Sequence, residues 1–192
     1  ASARCTVDRW RACGTKGAGE AAGAPCLNAS AFRRSYLDRR PLLLSGLMED
    51  WPAHEAWRKD QLLAAHGDKR VPLGSSAEFL FQAGASGKSL PLREVLARMS
   101  EDPSLFVFDS EVSDFYVGDF RTPSIFSGMS PKSGARDTVG EGGRANWHML
   151  SLGGDGAGLG WHMHGATWIG LVHGRKRWAA FAPGRAGPAE RG

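Results

Sequence analysis

No apolar run in this chain approaches the roughly 20 residues that cross a bilayer as a helix, so no helical membrane span is expected. No initiator methionine and no apolar signal-peptide core stand at its start, which suggests a processed chain or a fragment. Cys-x-x-Cys is absent, and the three cysteines, Cys5, Cys13 and Cys26, all precede Leu27, so a zinc-finger pattern is excluded. The net charge is a modest +4, and basic residues are interleaved with acids. Without a long basic stripe carrying regular aromatics, nucleic acid is not an expected partner. Tyrosine is scarce, with 2 residues against 7 tryptophans, and no histidine follows His173.

What is present is a globular composition, 42% hydrophobic and 23% charged over 192 residues, enough for one cored domain with or without an extension. The 26 glycines and 10 prolines imply many turns. Asn28-Ala29-Ser30 is an N-glycosylation sequon, meaningful only in a secretory compartment. With the cysteine-bearing N-terminus it points to the endoplasmic reticulum lumen or secretory pathway, with Asn28 exposed and at most one intramolecular disulfide among the three cysteines. The alternative is three reduced cysteines in a cytoplasmic protein.

Residues 1–27 lack apolar periodicity and read as a flexible, cysteine-bearing leader. Ser30 is a suitable N-cap for a helix over Ala31–Leu37, which Pro41 ends. Pro41–Leu47 reads as a buried strand, Trp57–His66 as a helix stopped by Gly67, and Val71–Leu73 as a short strand. Residues 74–89 read as a loop. Leu92, Val95, Leu96 and Met99 carry helical spacing over 91–100. Leu105–Phe108 is an expected strand, and 127–143 a long polar loop. Three further strands are expected at Ala145–Leu152, Trp161–Val172 and Arg177–Phe181, the last two joined by a turn at His173-Gly174. A tail over 184–192 is expected to be disordered.

The most informative run is Gly160-Trp161-His162-Met163-His164-Gly165. Residues two apart on a strand face the same way, so His162 and His164 can aim two imidazoles at one point, inside a concave pocket lined by Trp161 or Trp168. Imidazole suits iron, zinc, copper and nickel. The plainer alternative is a pair of hydrogen-bonded histidines that bind nothing.

Together, Arg40-Pro41-Leu42-Leu43-Leu44-Ser45-Gly46-Leu47, Asp50-Trp51-Pro52-Ala53, Leu105–Asp109, the His162/His164 run and Gly174-Arg175-Lys176-Arg177-Trp178 resemble the JmjC-domain, cupin-like family. The chain is most similar to the small JmjC proteins of the endoplasmic reticulum lumen, which share a leader like Cys5-Thr6-Val7 and a His-x-His-Gly in place of His-x-Asp or His-x-Glu. The resemblance covers Cys5 to Pro183. It implies an α+β fold, with a helical N-terminal segment followed by a partial double-stranded β-helix over residues 28–183, incomplete at its C-terminal side. It implies iron(II) and 2-oxoglutarate as cofactors. Residue by residue, it gives His162 and His164 as metal ligands, His164 standing where the carboxylate usually lies, and Lys176 as the partner of the 2-oxoglutarate carboxylate.

The activity so implied is that of an oxygenase that hydroxylates or demethylates a protein, expected to be incomplete or inactive here because the chain reads as truncated at its C-terminal side. The alternatives are a non-catalytic cupin-like module that binds proteins in the secretory pathway, and a simple zinc or nickel cupin. Catalytic residues beyond the ligands are not assignable from sequence.

Overall fold

The structure is a computed structural model that describes residues 7–14, 25–81, 89–109, 118–126, 149–163 and 165–181. Contacts divide the chain into two units. The first takes the described residues of Ala1–Trp51, Thr122–Arg136 and Gly165–Gly192, the second those of Pro52–Arg121 and Asp137–His164.

In the first unit, β1 (Asp8–Arg11) pairs in parallel with β2 (Leu42–Ser45), Asp8 opposite Leu42 and Arg11 opposite Ser45. A strand at Asp8–Arg11 corrects the leader reading there: its sequence carries no period, and pairing with β2 makes it a strand. A disulfide joins Cys13 to Cys26, and Ala12 bridges Leu27. Cys5 lies outside the described residues.

Helix α1 (Ala29–Ser35) is capped by Asn28, whose Oδ1 accepts the Ala31 N–H at 2.9 Å. Asn28, rather than Ser30, is the cap because its backbone is extended while its carbonyl accepts the first helical N–H, from Phe32 at 2.9 Å. Arg33 and Arg34 sit in the last turn, where the helix dipole favours cations.

The core of this unit is Leu27, Phe32, Tyr36, Ile125 and Phe126, the last two from a 3-10 helix over Ser124–Phe126. Phe126 meets Phe32 edge-on at 5.6 Å and stacks on Trp168 at 5.2 Å. Over residues 168–172 burial alternates: Trp168, Gly170 and Val172 are half-buried, while Ile169 and Leu171 are exposed. The expected period of two is therefore present, yet neither 165–172 nor Arg177–Phe181 is a strand, because a strand needs a neighbour's backbone groups and the described residues supply no ladder here. Gly174 does turn the chain, with φ +85.

The second unit opens with α2 (Ala53–Ala56) and α3 (Lys59–His66), followed by β3 (Arg70–Pro72). Next come α4 (Ser76–Phe81), β4 (Ser89–Pro91), α5 (Leu92–Glu101), β5 (Phe106–Asp109) and β6 (Leu150–Gly153). β3 pairs antiparallel with β4, and β5 with β6. Helix α5 buries Leu92, Val95 and Met99, the spacing read from sequence, and Glu94 and Arg98 pair across one turn at 2.6 Å.

Helix α4 and β4 replace the loop expected over 74–89. Ser75-Ser76-Ala77-Glu78 is half of a capping box: Glu78 Oε2 accepts the Ser75 N–H at 2.7 Å. Phe79 packs on Phe106 at 5.0 Å and Phe108 at 5.9 Å. The core is Leu62, Val71, Leu73, Leu92, Val95, Met99, Val107 and Leu150. Of the strand expected at Ala145–Leu152, only Leu150–Leu152 and Gly153 after it form β6, residues 145–148 lying outside the description.

The mixed α and β character is as expected. The described strands make three two-stranded sheets, and these do not trace a double-stranded β-helix. No helix among the described residues is long and apolar enough to cross a membrane.

Candidate metal and cosubstrate residues

The segment that carries His162 is held at Gly160. Its backbone N–H donates to Ser76 Oγ at 2.7 Å, a contact 84 residues apart in the chain, at the first turn of α4. No spacing rule could have found it, since Ser76 lay in a presumed loop. His162 then folds back on this anchor: Nδ1 lies 2.8 Å from the Gly160 carbonyl oxygen. A carbonyl only accepts, so this bond needs a proton on Nδ1, and in the neutral ring that tautomer leaves the lone pair on Nε2. Histidines that bind metals commonly have this arrangement, the second nitrogen donating to a backbone carbonyl. The donor chemistry of His162 therefore fits a metal ligated through Nε2.

His162 is exposed, as are Trp161 at 46% and Met163 at 98%. The expected concave pocket is not formed around His162 by the described residues of its unit. His164 lies outside the described residues, so the pairing of the two rings is not described. Among the described residues no group of three His, Cys, Asp or Glu side chains is placed to hold a metal.

Lys176 belongs to the first unit. Its Nζ lies 5.3 Å from the centre of the Trp178 ring, an arrangement in which the ring's negative face attracts the cation. The residue as a whole is exposed, but partial burial of the ammonium pushes its pKa below the usual lysine value.

No protein-family model matches the chain. Among curated proteins, it is 30% identical over 169 residues to lysine-specific demethylase JMJ21 of Arabidopsis thaliana, covering 83% of this chain and 16% of that protein. It is 26% identical over 185 residues to JmjC domain-containing protein 8 of Homo sapiens, covering 94% of this chain and 60% of that one. The Mus musculus protein of the same name is 25% identical over 185 residues, covering 94% of this chain and 59% of its own length. The chain thus spans about three-fifths of the mammalian relatives and a far smaller share of the plant demethylase. Matched to proteins so named along most of its length, from a plant and from mammals, the chain belongs to the JmjC family.

Proposed function

We propose that this chain is a cupin-like JmjC module of the secretory pathway, related to the iron(II)- and 2-oxoglutarate-dependent oxygenases that hydroxylate or demethylate proteins, and inactive by itself. The observation that supports the metal assignment is the 2.8 Å contact of His162 Nδ1 with the Gly160 carbonyl, a backbone partner that metal-binding histidines commonly have on their second nitrogen. His162 and His164 would hold the iron, and Lys176 the distal carboxylate of 2-oxoglutarate. The bound iron and cosubstrate would supply oxygen activation for hydroxylation or demethylation of a side chain. A protein substrate is in keeping with the demethylase relative. With three imidazoles or fewer and no carboxylate, the centre carries less negative charge than the usual two-histidine, one-carboxylate set, so weaker iron(II) binding is expected. The secretory assignment rests on the sequon and on the Cys13–Cys26 disulfide, since disulfides persist in oxidising compartments.

A second reading has its own support. The exposed Trp161 and Met163 flank His162, and side chains of this kind are common at protein-binding surfaces. On that reading the module binds partners without turnover.

Manganese(II) followed by 2-oxoglutarate, titrated calorimetrically into the 192-residue chain, separates them. The expected result is weak manganese binding that His162→Ala and His164→Ala each abolish, 2-oxoglutarate binding that Lys176→Ala weakens further, and no succinate when iron(II) replaces manganese. Tight binding with succinate formation would overturn the expectation of inactivity. Manganese binding untouched by either histidine substitution would overturn the ligand assignment.

A further inference from the structure

We infer that Asn28 is an N-glycan acceptor whose amide is divided between two roles, Oδ1 capping helix α1 and Nδ2 carrying the saccharide. The first support is local geometry. Asn28 and Ser30, the two residues that a sequon needs, are both exposed. Oδ1 is already engaged with the Ala31 N–H at 2.9 Å, and an amide oxygen keeps its lone pairs when the nitrogen is substituted, so cap and glycan are compatible. Helix α1 buries Phe32, and its C-cap Tyr36 is buried too, while Ser30, Arg33 and Arg34 are exposed. A saccharide on Asn28 therefore meets solvent and displaces nothing from the core.

The second support is independent of the sequon. Cys26, two residues before Asn28, is bonded to Cys13, and the Leu27 between them is pinned by backbone hydrogen bonds to Arg11 and Cys13. A chain that closes this disulfide passes through an oxidising compartment, which is where sequons are modified. The inference thus rests on the secretory reading proposed above. In the transfer, Nδ2 forms a bond to the anomeric carbon of a polyprenyl-diphosphate-linked oligosaccharide. The bond from that carbon to the diphosphate oxygen breaks, the diphosphate leaves with the electron pair, and Nδ2 releases one proton. No oxidant or reductant is consumed.

The test begins with peptide mapping of the protein from its native host. The expected finding is a Cys13–Cys26 disulfide together with a glycan at Asn28 that peptide N-glycosidase removes, leaving aspartate. A closed disulfide with unmodified Asn28 overturns the glycan inference and leaves the secretory reading standing. Free thiols at Cys13 and Cys26 overturn both. Variants secreted from eukaryotic cells then separate the two roles. Ser30→Ala keeps the cap and loses the glycan completely, whereas Asn28→Ala loses both and lowers the thermal midpoint below that of Ser30→Ala. Equal midpoints for the two variants would overturn the capping role.

Discussion

Tyr36 shows how much one polar atom can hold. Its hydroxyl accepts the Trp10 indole N–H at 2.7 Å and donates to Asp8 Oδ2 at 2.9 Å, and Arg40 pairs with the same Asp8 oxygen at 3.3 Å. The side chain is buried, so the hydroxyl ties β1 to α1 from inside the core. Tyr36→Phe leaves the indole donor unanswered and should cost about 1–3 kcal/mol in chemical denaturation; an unchanged midpoint would mean that water replaces the hydroxyl. Asp102 makes a smaller case at the surface. Hydrogen bonds from the Ser104 hydroxyl at 2.7 Å and backbone N–H at 3.0 Å hold its carboxyl below the ordinary aspartate range. A carboxylate depressed in the folded state stabilises the fold above its unfolded pKa of about 3.9, and that stability is lost as pH falls through the folded value. Ser104→Ala should move the Asp102 midpoint upward in an NMR titration, and a fixed midpoint would assign the shift elsewhere.

Elements were legible where a period met a stop signal. Helix α5 was readable because Leu92, Val95 and Met99 repeat at helical spacing, and α3 because Gly67 follows its last turn. Helix α4 was not, because its six residues are too few to show a period, although its Ser-x-x-Glu start was in plain view. β1 and β4 were invisible for another reason: each is made a strand by its neighbour rather than by its own residues. Leu92→Ala, at a fully buried position on α5, should cost about 2–5 kcal/mol, whereas Leu43→Ala, exposed on β2, should stay within about 0.5 kcal/mol. Along 168–172, a Cβ added at Gly170 would lie 2.9 Å from both Met48 Sδ and Trp51 Cζ3. Gly170→Ala should therefore destabilise by about 1–3 kcal/mol through overpacking, measured as a lower thermal midpoint with reduced near-ultraviolet tryptophan signal.

At the scale of the molecule, family and site were legible to different depths. The combined motifs pointed to the JmjC family, and relatives so named match most of the chain at 26–30% identity. Site geometry is a different matter. The turn that orients His162 depends on Ser76, distant in sequence, and His164 lies outside the described residues. The expected strands failed at Trp161–Val172 because alternation says which face is apolar and nothing about what covers it. Exposed apolar side chains govern how the chain behaves in a tube. Ile169 at 48%, Leu171 at 44%, Trp178 at 59% and Phe181 at 50% exposure put aliphatic and aromatic surface in water within one unit. Sulfate, which strengthens apolar association, should precipitate this chain at lower concentration than an Ile169→Lys, Leu171→Lys double variant, and a fluorescent apolar dye should brighten with the parent and stay dim with the variant. Chaotropic or low-sulfate buffers are then the natural medium for crystallisation and titration alike.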